Sequence, residues 1–226
     1  MPSGIWGDTA EVVLTVVWFV GMLNAINYLD GMNGLAAGIS MVSFSLFAFM
    51  LIYTREYALG FLCVAGAGVC LGFLPHNFPK AKMFMGDAGS TFLGFLLAGI
   101  GATGNWASND VVRLAAPVLV LAVPIFDMTY TTVMRIKEDK IHNVVEWLQY
   151  AGRDHFHHTL VDLGLSKKQA VMFIWLTSLA MGLGGVLVRG GTAEQGLLTI
   201  AQAVLVFGMV GILLAVGKRR QSGWEK

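Results

Sequence analysis

Met83-Phe84-Met85-Gly86-Asp87-Ala88-Gly89-Ser90-Thr91-Phe92 separates one long apolar run from another. A carboxylate at bilayer depth costs about 2.5 kcal/mol or more unless it is paired, wet or liganded. The flanking glycines let a backbone or a phosphate approach closely. A helix starting near Ser90, which can cap it, turns its positive end toward Asp87. The stretch therefore reads as a place to hold a cation and an anion at a membrane surface.

The surrounding composition agrees. Of 226 residues, 56% are hydrophobic and 13% charged, against about 25% charged in a soluble domain. The chain reads as all-α, one polytopic membrane domain over 1–226. Net charge is +1 and no basic face is evident, so nucleic-acid binding has no support. Cys63 and Cys70 lie in one apolar segment, about 10 Å apart along a helix and beyond disulfide reach. The first residues lack the basic start of a signal peptide.

Seven runs near the spanning length of about 20 residues are expected at 11–29, 34–53, 57–74, 90–106, 111–131, 169–189 and 195–217. If these alternate, one side receives Lys80, Lys82, Arg135, Lys137, Lys140, Arg153, Lys167, Lys168, Lys218, Arg219, Arg220 and Lys226, and the other only Arg55, Arg113 and Arg189. The positive-inside rule makes the first side cytoplasmic. It also holds Asp30, Asp87 and all five histidines. A cytoplasmic histidine-containing loop is expected over 132–168.

Three polar clusters fall on that side. In Asn24-Ala25-Ile26-Asn27-Tyr28-Leu29-Asp30-Gly31-Met32-Asn33-Gly34, residues Asn27, Asp30 and Asn33 repeat every third position and should share a helical face. They read as a substrate-facing carboxylate with amides beside it, or as a helix end reaching water. Around Asn77 to Ser90, the lysines suit a positive-inside loop. Asp87 suits Mg²⁺, which takes one or two carboxylates plus substrate phosphates. In Arg153-Asp154-His155-Phe156-His157-His158, a zinc site lacks a cysteine partner at structural spacing, so phosphate binding by imidazole and guanidinium is favoured. Asp127 and Arg135 are weaker signals. Asp127 should face protein or a wet cavity, and a structural pair is as good a reading as a functional one.

In this order the clusters resemble the boxes of the polyprenyl-phosphate N-acetylhexosamine-1-phosphate transferases, glycosyltransferase family 4. Asn24 to Ser40 looks like its Asn-Ala-x-Asn-x-x-Asp-Gly box, Lys82 to Gly94 its Phe-Met-Gly-Asp-x-Gly-Ser box, and His155 to His158 its His-x-His-His box. The resemblance implies transfer of a sugar-1-phosphate, by preference N-acetylglucosamine-1-phosphate, from a UDP-N-acetylhexosamine to undecaprenyl phosphate with release of UMP. It implies Mg²⁺ (or Mn²⁺), a bacterial inner-membrane location, and the branch that initiates envelope polysaccharides; it admits a homodimer. Carried over by position, Asp87 would hold the metal, and Asn27 and Asp30 would line the diphosphate site together with Asn33. Asn77 and Phe84 would meet the uridine, and His155, His157 and His158 with Arg153 would grip diphosphate or sugar.

Two departures stand out. The family usually has aspartate where this chain has Asn33. Family members also carry about ten or eleven spans and an early paired-aspartate box, which nothing here supplies; this chain corresponds to their C-terminal portion. The competing expectations are a non-catalytic membrane remnant or subunit, and a transporter using Asp30, Asp87 and Asp127. The last fares worst, because Asp30 and Asp87 fall at span ends.

Overall fold

A computed structural model describes residues 5–143, 146–147, 152 and 155–224, with the side chains of residues 5, 6 and 218–224 not described. Within these residues all regular structure is helical. The helices are α1 (Ile5–Leu29), α2 (Leu35–Tyr53), α3 (Tyr57–Asn77), α4 (Gly86–Thr103), α5 (Asp110–Val120), α6 (Ala122–Lys137), α7 (Phe156–Asp162), α8 (Lys167–Val188) and α9 (Ala193–Trp224).

The five long helices α1, α2, α3, α8 and α9 carry apolar residues all round, as a lipid-facing bundle requires, while α5 and α6 are more one-sided. The central element is α2, buried along most of its length and packed on α3 and α8. Around it, α1 pairs with α4, and α5 with α8 and α9. Large apolar side chains cover the outside, Leu187 for instance being 83% exposed. In water such a surface would be an aggregation site; in a bilayer it is solvated by acyl chains. Local signals set several boundaries. Asn109 caps α5 through bonds from the Val111 and Val112 N–H groups. Ser166 and Gln169 form a capping box at the start of α8.

The membrane bundle is as expected, but the spans differ in detail. Five helices are long and apolar enough to cross a bilayer: Gly7–Leu29, Leu35–Tyr53, Tyr57–Asn77, Lys167–Val188 and Ala193–Gly217. The expected run 111–131 is α5 and α6, bent by 77° at Leu121. Pro117 removes one backbone donor from the last turns of α5, and Pro124 sits in the first turn of α6, where its ring is tolerated. The expected run 90–106 is α4, whose polar first turns, Gly-Asp-Ala-Gly-Ser-Thr, leave it less apolar than the other five. The expected loop 132–168 is partly helical, because α6 continues to Lys137 and α7 occupies 156–162.

Candidate functional site

The end of α1 meets the start of α4. The two helices touch closely at Gly94, where a Cβ would lie 2.8 Å from the Met22 carbonyl oxygen and from the Leu23 Cα. Only glycine allows that approach. One turn nearer the site, the Ser90 hydroxyl donates to the Asn27 side-chain oxygen at 2.7 Å. These two contacts fix the register that sets Asp87, in the first turn of α4, beside Asp30, just past the end of α1. The Asp30 carboxyl is pushed up from 3.8 to about 6, first by burial and then by the Asp87 charge, while a hydrogen bond from the Gly86 N–H pulls it down. Two carboxylates thus repel one another at a half-open site. A divalent cation fits that donor set, since it would relieve the repulsion and still leave room for phosphate oxygens. Among the described residues no cluster of three or more acidic, histidine or cysteine ligands forms.

Two sequence expectations need correcting here. Ser90 does not cap α4, which begins four residues earlier at Gly86; it sits inside the helix and ties it to α1. The Gly86-Asp87 step is therefore itself the positive helix end. Asn33 does not share a helical face with Asn27 and Asp30. The helix stops at Leu29, and Asn33 lies exposed in the turn, its amide donating to the Pro79 carbonyl at 3.3 Å.

The Asn77 side chain is buried and bonded through both its oxygen and its nitrogen. It accepts from the Gly34 N–H at 2.7 Å and donates to the Met83 carbonyl at 2.8 Å. It thereby joins the end of α3, the start of α2 and the loop that carries Phe84. The Phe84 ring itself projects freely, 78% exposed.

The histidines form the second half of the site. Among the described residues the buried acidic, basic and imidazole side chains are Asp127, Arg135, His155 and His157. The Asp127 carboxylate accepts from the Phe156 N–H at 2.8 Å and stands 2.9 Å from His155 Nδ1. The opposite ring nitrogen, His155 Nε2, faces Arg135 Nη2 at 3.2 Å. Thr131 Oγ1 approaches Nδ1 at 3.4 Å. His157 differs, for it is buried and neither ring nitrogen has a hydrogen-bond partner within the chain. Burial drives its pKa down from 6.5 to about 3, opposed by the Asp127 charge and reinforced by His158 and His155. His158 packs beside it with ring centroids 4.3 Å apart. Arg153 lies outside the described residues.

The two halves join at α1. The Tyr28 ring stands 4.9 Å from that of His155, and Arg135 lies over its face. A Cβ at Gly31 would come 3.0 Å from His157 Nε2. The turn carrying Asp30 thus touches the histidine segment directly, and all three sequence clusters meet at one end of the bundle. Sequence reasoning did not include Tyr28 or Thr131. Asp127, Thr131 and Arg135 recur every fourth residue on one stripe of α6, a signal that was present in the chain.

Residues 4–105 match glycosyl transferase family 4. Over 187 residues the chain is 34% identical to a probable undecaprenyl-phosphate N-acetylglucosaminyl 1-phosphate transferase of Bacillus subtilis, covering 83% of this chain and 51% of that protein. It is 34% identical over 195 residues to a decaprenyl-phosphate N-acetylglucosaminephosphotransferase of Mycobacterium leprae, covering 75% and 46%. It is 34% identical over 176 residues to a phospho-N-acetylmuramoyl-pentapeptide-transferase of Staphylococcus aureus, covering 78% and 51%. The chain spans about half the length of these relatives. With the three clusters gathered at one end of a membrane bundle, it belongs to glycosyl transferase family 4.

Proposed function

We propose that the chain forms the donor-phosphate side of an N-acetylhexosamine-1-phosphate transferase, which moves N-acetylglucosamine-1-phosphate from its UDP-sugar to undecaprenyl phosphate and releases UMP. The juxtaposition of the Asp30–Asp87 pair with the unpartnered His157 across the end of α1 carries this reading. Phosphoryl transfer asks little of a protein beyond positioning and charge neutralisation. Carboxylates to hold a cation and imidazoles to meet phosphate oxygens are the parts required.

Asp87, with Asp30 beside it, would hold Mg²⁺ or Mn²⁺. The ion would neutralise phosphate charge in the reaction. Around it the chain's own residues bind and orient. Neutral His157 offers one N–H donor to the donor phosphates, with His158 beside it. Asn27 is held in register by Ser90. Phe84, exposed beside the site, offers a face on which a uracil ring can stack, and Asn77 and Asn33 hold its loop to the α1–α2 turn. The site faces the cytoplasm of a bacterial inner membrane, by the distribution of lysine and arginine.

UMP and UDP-N-acetylglucosamine binding to the purified chain, measured calorimetrically with and without Mg²⁺, tests the reading. Mg²⁺-dependent binding is expected. The competing reading, a non-catalytic membrane subunit, draws on the chain's spanning only half of its relatives. It gains if neither ligand binds under any metal condition.

A further inference from the structure

We propose that Asp127, His155 and Arg135 form a single-tautomer relay that positions His157 against the Asp30 turn, His155 being a positioning residue and not a phosphate ligand. The assignment of ring protons follows from donor arithmetic. Arg135 carries only donors, so His155 Nε2, 3.2 Å from Arg135 Nη2, must be the bare acceptor nitrogen. The ring proton then sits on Nδ1 and donates to Asp127 Oδ2 at 2.9 Å. The order is carboxylate, neutral imidazole, guanidinium.

Asp127 is committed twice. Its second oxygen accepts the Phe156 N–H at 2.8 Å, at the first residue of α7. One carboxylate therefore fixes both the ring of His155 and the backbone on which His157 begins its turn. The rings of His155 and His157 lie nearly parallel, 9° apart with centroids at 5.7 Å. The side chain so placed is the one whose two nitrogens lack partners and whose Nε2 abuts Gly31. A carboxylate orienting an imidazole through its second nitrogen is the general device for setting tautomer and ring angle. Here the device acts on one histidine to place the next but one.

That this serves donor binding rests on the function proposed above; the relay itself does not. Histidine nitrogen NMR on the purified chain reads the tautomer directly. A neutral His155 with its proton on Nδ1 is expected. A cationic ring, or one protonated on Nε2, overturns the relay. Asp127→Asn keeps the shape but supplies one acceptor where two are needed. It should shift the His157 resonances and weaken binding of UMP with Mg²⁺ about tenfold or more. Arg135→Lys changes the shape but keeps a cationic donor, and should retain the tautomer and most of the affinity. A purely packing role predicts the opposite order, with asparagine mild and lysine severe, and that order sinks the proposal. Unchanged His157 resonances in Asp127→Asn also sink it. Should that variant not fold, the wild-type tautomer and Arg135→Lys still decide. Absence of UMP binding to the wild-type chain counts against the transferase reading, while the tautomer and the His157 resonances continue to judge the relay.

Discussion

The Asn77 side-chain oxygen accepts a 2.7 Å hydrogen bond from the Gly34 N–H, tying the last residue of α3 to the residue that opens α2. The same amide donates to the Met83 carbonyl. One buried side chain thus closes two backbone groups that lack another partner in these turns. Asn77→Ala should destabilise the protein by about 2 kcal/mol, because each lost bond is worth roughly 1 kcal/mol and the Gly34 N–H is left buried and unpaired. Equilibrium unfolding in detergent measures this. A loss near zero means that water or a neighbour already serves Gly34, and leaves Asn77 free for a ligand role.

Asp87→Asn separates folding from metal binding. The fold uses the backbone carbonyl of Asp87, which accepts from the Ser90 and Thr91 hydroxyls, and its carboxylate is exposed. The variant should therefore fold, losing at most about 1 kcal/mol from the favourable interaction with the helix end. Mg²⁺-dependent UMP binding should weaken by about tenfold or more. Removing the Asp87 charge should also lower the Asp30 pKa from its value of about 6. Normal Mg²⁺-dependent binding in this variant removes Asp87 from the metal assignment.

Sidedness has a direct assay. Lys80 follows α3 and Gly190 lies between α8 and α9, and both are exposed. The native cysteines, Cys63 and Cys70, are buried and unpaired, so background labelling is low. Lys80→Cys should react with an impermeant thiol reagent only after the membrane is opened from the cytoplasmic face, and Gly190→Cys only from the other. If both react from one face, either α4 or the bent α5–α6 pair fails to cross.

Several features were legible in the chain and several were not, for identifiable reasons. The apolar runs and the three polar clusters needed only composition and spacing, and the structure gathers those clusters at one end. The 77° bend at Leu121 was hidden because 111–131 is apolar on both sides of the break; Pro117 and Pro124 were its only trace. The three-residue repeat of Asn27, Asp30 and Asn33 misled because it was carried past the break that Gly31 and Gly34 mark after Leu29, where the helix stops. Ser90 looked like a cap because serine caps by propensity, whereas contact with Asn27, distant in sequence, keeps it inside the helix. The commitment of His155 to Asp127 bridges 28 residues and is beyond any local pattern.

The burial of His157 makes a pH prediction with a definite sign. Its pKa falls from 6.5 when exposed to about 3 in the fold, chiefly through burial. The unfolded chain then binds a proton below pH 6.5 that the folded chain refuses until about pH 3. Stability is full above 6.5 and declines as pH falls through that window. Between pH 7 and 5 the loss from this one group is about 2 kcal/mol, following the ~1.4 kcal/mol per unit of differential protonation. Asp30 works in the opposite direction, since its raised pKa of about 6 means that the folded form binds a proton more readily below that value and gains stability there. The net wild-type curve is therefore shallow, and the informative quantity is the difference from His157→Gln, which keeps a donor and an acceptor but does not titrate. With metal removed by chelator, so that metal release contributes to neither curve, His157→Gln should gain on the wild type by about 2 kcal/mol on going from pH 7 to 5. Parallel stability curves for the two proteins would show that His157 protonates as readily in the fold as in water, and so that it is wet and not enclosed against the Gly31 turn.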